Sequence, residues 1–280
     1  SASSATMLRT RVQLSMCVAG AAVALALLRR RQVLRNARLL HGSSSVHVES
    51  TVSAHIKNSA SVEWWRLSAV EAVEALKDKR VEPRVLVEQA LQRIAATNSA
   101  THALVTITAT RACEQADASG VAERGPLHGL PVIIKDNQML AGVRSTGGAP
   151  QFARRIPDVT SPAIAAVEAA GGIVIGVSNM PESAAGSHSF GPLFATVSNP
   201  WDLSLTCGGS SGGACAALAT GVAWLATGTD LGGSLRNPAA MCGVVGLRPS
   251  PGRVGMAAPA PTHSRGRWGI GLHSVDGPMG

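Results

Sequence analysis

The run CGGSSGGACAALATGVAWLATGTDLGGSLRNPAAMCGVVGLRPSPGRVG, Cys207 to Gly255, sets two serine-bearing glycine loops around a small-residue helix and a short apolar strand. The loops are GGSSGG, Gly208 to Gly213, and GGS, Gly232 to Ser234. Packing alone does not call for so many positions without a side chain. Glycines let a backbone come close to a ligand and turn its N–H groups toward it. Between the loops, Ala214 to Ala219 reads as a helix stopped at Gly221, and Ala223 to Gly228 as a strand feeding Thr229-Asp230. Two hydroxyls beside such N–H groups point to acyl transfer, in which one serine attacks and backbone donors hold the oxyanion.

Working upstream, the chain alternates in the same way. Ser161-Pro162 opens a helix through Ala170, Gly171-Gly172 ends it, and Ile173 to Val177 reads as a buried strand. Pro131 to Ile134 is a second compact apolar strand, running into Lys135 and the turn signal Asp136-Asn137. Lys135 has two readings. It either reaches solvent or pairs with Asp136, or it is held in a dry site where burial lowers its pKa and frees it to act as a base. Helices from Leu67, from Arg84 to Ala96 and from Thr110 to Ala122, with a strand at Ala103 to Ile107, read as bracing for the sheet. The pattern predicts an α/β fold with a mostly parallel mixed sheet flanked by helices and chemistry at the strand ends.

Composition narrows the partners. The formal charge of +8 is concentrated at the front: residues 1–48 hold seven arginines and no acid, leaving 18 basic against 17 acidic residues from Glu49 onward. The folded part is therefore near neutral, and nucleic acid is not expected as its partner. Cys17, Cys113, Cys207, Cys215 and Cys242 are an odd number without a C-x-x-C pair, and the eight histidines show no metal-ligand spacing. Both facts argue for free thiols and against a zinc site. Residues 12–28 are almost wholly apolar and bracketed by arginines. Against the roughly 20 residues of a bilayer span they read as a short membrane anchor, a transit peptide or a secretory signal. The expectation drawn is a membrane-anchored intracellular or organellar protein, with mitochondrion or plastid as the alternative, divided into an anchor or targeting segment (1–40), a polar linker (41–61) and a catalytic domain (62–280).

Lys135, the GGSSGG loop and TDLGGSLRNPA at Thr229 to Ala239 resemble the amidase signature family of serine hydrolases, and the resemblance covers most of the chain from about Trp64. It implies a Ser-Ser-Lys triad: Ser234 as nucleophile, Ser210 as bridging serine on an unusual cis peptide, and Lys135 as base. It implies oxyanion donors from Leu231, Gly232, Gly233 and Ser234, with Ala184 near the acyl group. Asp230 and Arg236 would frame the loop, and Ser211 would either cap the following helix or reach a neighbouring loop. The chemistry implies a small-molecule amide substrate, no cofactor and no metal. Lys135 to Ser210 is 75 positions and Ser210 to Ser234 is 24, a spacing similar to the family's fatty acid amide hydrolase branch. RNPAA and RPSPGRV look more like general amidases, and a glutamyl-tRNA amidotransferase component is disfavoured by SLRNPA and the near-neutral core.

Two rivals stand beside this reading. GGSSG also fits G-x-S-x-G, the nucleophile elbow of α/β-hydrolases, with Asp230 and then His263 or His273 completing a Ser-Asp-His order. The elbow wants a strand directly before its serine, where Asn199 to Asp202 reads as a turn. The second rival is an inert amidase-like fragment: Gly277-Pro278-Met279 resembles a motif that the family carries midway, so the chain looks truncated at its C-terminus and is expected to expose apolar surface.

Overall fold

The computed structural model describes residues 62–119, 125–255 and 273–280, all within one compact unit, Ser45–Gly280. The anchor or targeting segment and the linker expected at 1–61 lie outside the described residues.

Helix α1 (Ala69–Lys77) starts at a capping box. Ser68 Oγ accepts from the Glu71 amide at 3.3 Å, and the Ser68 amide donates to the Glu71 carboxylate at 2.8 Å. Helix α2 (Pro83–Thr101) begins on proline and closes on left-handed His102. Strand β1 (Leu104–Ile107) and helix α3 (Ala109–Ser119) follow. Then β2 (Pro131–Lys135), α4 (Pro162–Ala169) and β3 (Ile173–Ser178) make the first parallel crossover. A small hairpin, β4 (Ser198–Asn199) and β5 (Asp202–Thr206), forms a separate two-stranded sheet. Helix α5 (Gly212–Ala219), β6 (Leu225–Asp230), α6 (Arg236–Cys242) and β7 (Val275–Met279) complete the described chain.

The main sheet has the order β1-β3-β2-β6-β7. Its centre, β3-β2-β6, is parallel, and each flanking strand is antiparallel to its neighbour. Strands β2 and β3 are buried along their whole length, as parallel strands covered on both faces must be. Alternate side chains enter opposite layers. Ile133 and Ile175 pack with α2, α3 and α5, whereas Ile134 and Val174 pack with Ile164 of α4. Helix α5 lies inside the larger layer and can be built only of small residues, because everything from Gly212 to Ala217 is buried.

Parallel direction has a functional consequence: Lys135, Ser178 and Asp230, the last residues of β2, β3 and β6, share one edge of the sheet. Loops leaving that edge carry both glycine runs.

Several boundaries moved. β6 begins two residues later than expected and continues through Thr229-Asp230, because these residues pair with Asp276 and Val275 of β7 rather than leaving the sheet. Helix α2 runs to Thr101, beyond the expected Ala96. The membrane expectation gains nothing from the fold: among the described residues no helix is long and apolar enough to cross a bilayer. The longest described helix, α2, carries Arg84, Glu88 and Arg93, and its exposed positions lie mainly toward its C-terminal half. Residues 12–28 lie outside the described residues. Cys113, Cys207, Cys215 and Cys242 are buried free thiols. Apolar surface is exposed at Trp201, Leu203, Leu205, Met241, Val245 and Leu247.

Candidate active site

Lys135 ends a fully buried strand, and its side chain is itself completely buried. Of the two fates open to it, solvent and Asp136 are both ruled out. Asp136 turns away and takes hydrogen bonds from the Thr146 amide at 2.8 Å, the Thr146 hydroxyl and the Gly148 amide at 3.1 Å. That carboxylate therefore shapes the 145–148 turn, while burial pushes its pKa up.

The lysine amine meets hydroxyls instead. Lys135 Nζ lies 2.8 Å from Ser210 Oγ, 2.8 Å from Ser211 Oγ and 2.9 Å from Thr229 Oγ1. None of these three oxygens carries a charge to offset the ammonium. Burial therefore pushes the Lys135 pKa down from 10.5 to about 7, against the opposing pull of Asp276 and Asp230. An amine in that range exchanges protons at neutral pH.

Each hydroxyl reaches the amine for a local reason. Ser210 follows a cis Gly209-Ser210 peptide, the feature the family resemblance implied. Ser189, absent from the sequence reading, holds the loop from below: its hydroxyl donates to the Gly208 carbonyl at 3.1 Å and accepts from the Gly212 amide at 3.0 Å. Ser211 takes the N-cap position of α5 without making a side-chain cap, so the capping expectation is corrected; its hydroxyl meets Lys135 of β2 and Thr229 of β6 rather than a neighbouring loop. Gly228 permits this, since a Cβ there would stand 2.7 Å from Ser211 Oγ. Thr229 also was not singled out from sequence. Its position inside β6 rather than beyond it is what aims its hydroxyl at β2.

The second glycine loop is fixed by Asp230. Its buried carboxylate accepts from the Gly233 amide at 2.8 Å and the Leu235 amide at 3.1 Å, on either side of half-buried Ser234. Arg236 closes on it at 3.0 and 3.1 Å, as expected, and Arg248 joins at 2.9 Å, which was not foreseen. Burial opposes the Asp230 charge, but the Arg236 contact and the two amides outweigh it and hold the carboxyl well below the usual range. Gly233 sits at φ +112°, which a side chain would strain. Its amide is committed to Asp230, so the expectation that Gly233 donates to an oxyanion is corrected. Leu231 and Gly232 are exposed, and nothing stands within 4 Å of a Cβ placed on Gly232. The Ser211 amide donates to the Ser234 carbonyl at 3.2 Å, which ties the two loops together.

Ala184 lies in the turn Glu182–Ala184, where Ser183 and Ala184 both have positive φ, 57° and 58°. Among the described residues the elbow geometry is not present. The strand before Ser210 is β5 of the exposed hairpin, and Asp230 is engaged by arginines. His263 lies outside the described residues, and the His273 carbonyl accepts from Arg248 at 2.7 Å.

The sequence model of the Amidase family matches residues 85–271. The chain belongs to the amidase family. Among curated relatives, the chain is 39% identical over 198 residues to a component of the glutamyl-tRNA(Gln) amidotransferase of Moorella thermoacetica, covering 69% of the chain and 41% of the relative. It is 40% identical over 194 residues to the corresponding component from Anaeromyxobacter sp. strain K, covering 68% and 39%. A bacterial aryl acylamidase of the amidase signature family superimposes with TM-score 0.70 at 32% identity, covering 76% of this chain and 44% of that one. Fatty acid amide hydrolase superimposes with TM-score 0.72 at 22% identity and shares the fold. The chain thus spans about two fifths of the length of the curated relatives it matches.

Two expectations change with these relatives. The amidotransferase component, disfavoured on SLRNPA and charge, is the type that the first curated matches carry. The membrane-anchored or organellar location is withdrawn as well. The first curated relatives are bacterial amidotransferase components, and no described helix is long and apolar enough to cross a membrane.

Proposed function

We propose that this amidase hydrolyses carboxylic amides through a Ser-Ser-Lys relay and an acyl-enzyme. The observation that carries the proposal is the 2.8 Å contact of Lys135 Nζ with Ser210 Oγ inside a fully buried cage of hydroxyls. A neutral lysine takes the Ser210 proton while Ser210 takes that of Ser234, and the Ser234 oxygen attacks the amide carbon. The oxyanion is received by backbone N–H groups of the Leu231–Ser234 loop other than that of Gly233. Ser210 then returns a proton to the departing nitrogen, and water cleaves the ester. Asp230, Arg236 and Arg248 touch no substrate in this scheme; they hold the loop in shape.

Fluorophosphonate labelling with peptide mapping tests the scheme. The expected adduct is on Ser234 and disappears in Lys135→Ala. An adduct on Ser210 that depends on His263 or His273 supports the elbow, and no adduct on any serine supports an inert fragment. The identity to amidotransferase components favours one second reading, in which the same acyl-enzyme forms but the released nitrogen passes to an acceptor held with partner proteins. Ammonia release by the isolated chain, measured with simple amides, separates free hydrolysis from that coupled transfer.

A further inference from the structure

We propose that Thr229 is a positioning residue for Lys135: its hydroxyl oxygen, pinned by Asn137, takes one amine N–H and leaves the nitrogen lone pair facing Ser210. The proposal rests on reading Lys135 as the base of the relay.

A neutral amine has two N–H bonds and one lone pair, yet three hydroxyl oxygens surround Lys135 Nζ at 2.8, 2.8 and 2.9 Å. Two of them must accept and one must donate. Ser211 is committed as an acceptor: its hydroxyl points to the Thr229 carbonyl, and its oxygen also faces the Thr229 amide, both at 3.4 Å. Thr229 Oγ1 accepts from the Asn137 amide nitrogen at 3.3 Å on one lone pair, and in the proposed arrangement its second lone pair takes an amine N–H across the 2.9 Å contact. Ser210 Oγ has no second partner among the described residues. That arrangement leaves the Ser210 hydroxyl to donate into the lone pair, which is the direction in which the relay must run. Once protonated, the ammonium has three N–H bonds for the same three oxygens, so the cage fits both states without rearrangement.

The titratable neighbours are known, and burial keeps the Cys215 thiol among them protonated. Asp276 of β7 lies opposite Thr229 in the ladder, Asp230 follows it in β6, and Cys215 faces the lysine from α5. None of them is altered by replacing Thr229 with Val, which keeps the shape and removes only the oxygen. That oxygen serves the ammonium more than the amine, so its loss lowers the Lys135 pKa further.

Lys57, Lys77, Lys79 and Lys135 are the only lysines in the chain, so ε-13C-lysine labelling of the full chain reads the Lys135 titration directly. In Thr229→Val the Lys135 midpoint is expected to move to lower pH, and the fluorophosphonate rate on its high-pH plateau to fall about 10- to 100-fold. Thr229→Ser restores both. Asn137→Ala, at an exposed position that folding tolerates, moves both in the same direction by less. A Thr229→Val protein, or an Asn137→Ala protein where the first fails to fold, with an unmoved midpoint and a wild-type plateau overturns the inference. If Ser234 takes no label even in the wild type, the hydrolytic reading fails, and the lysine titration still decides the role of Thr229.

Discussion

Lys135 and Asp230 end two parallel strands on one edge of the sheet, both side chains are fully buried, and the chain treats their charges in opposite ways. Around Lys135 it places three neutral hydroxyls. Around Asp230 it places two guanidinium groups and two amides. The first surrounding drives a charge toward neutrality at working pH, and the second keeps a charge under all ordinary conditions. A buried group left uncompensated can pass a proton; one fully compensated can only hold shape. In the proposed scheme the contrast gives the two corners their parts: one exchanges protons, and the other fixes the loop that carries Ser234.

The largest effect belongs to the corner that titrates. Lys135→Ala is expected to slow fluorophosphonate labelling about 10²- to 10⁴-fold, the range of a lost general base, and labelling of the wild type should rise with pH through a midpoint near about 7. Stability gives an independent reading. The folded-state pKa of about 7 lies below the ordinary 10.5, so between these values the unfolded chain binds a proton that the folded chain does not. Stability therefore rises with pH across that window, and the burial cost is felt in full below it. Lys135→Met should remove the slope and make the protein more stable at pH 6 by urea unfolding. A Met variant with the wild-type slope would break the contrast at its base.

The compensated corner predicts the reverse. Asp230→Asn leaves two guanidinium groups without their counter-charge in a partly buried setting, which costs about 3 kcal/mol. Because the folded-state pKa of Asp230 is depressed, its contribution is present above the usual carboxylate range and is lost as pH falls through the folded value. The difference in urea midpoint between wild type and Asp230→Asn should be flat from pH 6 to 8 and shrink under strong acid. The midpoint of the labelling profile should move far less than the plateau, since Asp230 acts on Ser234 through the loop.

How much of this could be read beforehand follows from what each contact requires. The meeting of Lys135 with the Ser210 loop was legible because a glycine run and a lysine at a strand end are local signals. Most of the sheet was legible for the same reason, since a buried parallel strand announces itself as an unbroken apolar run. Thr229 was placed beyond the strand because the segment that extends β6, Val275–Met279, lies about 45 positions away, and its pairing is not a local property. Ser189 and Arg248 were missed likewise: each bonds a loop to which no spacing rule connects it. Asp136, adjacent to Lys135 in sequence, was the natural ion partner on paper, yet it lies just past the end of β2 and its carboxylate is taken by the Thr146 and Gly148 amides. Spacing along the motif did not distinguish the family's branches, which is why the amidotransferase components came forward only through overall identity.

The smallest predicted effect separates the two arginines that share Asp230. Arg236 follows the nucleophile loop directly and looks from sequence like the essential partner, but about half of its side chain is exposed, 53%, against 24% for Arg248. Solvent screens the first pair and costs it most of its worth. Arg248 does more with its guanidinium: it reaches the Asp230 carboxylate, the Asp230 carbonyl and the His273 carbonyl, and so joins β6 to the segment entering β7. Arg248→Ala is therefore expected to destabilise the fold by about 2 kcal/mol, with Arg236→Ala lowering the urea midpoint much less. If Arg236→Ala proves the more damaging, exposure is the wrong measure of what holds the loop, and direct attachment to the glycine run outweighs burial in setting the position of Ser234.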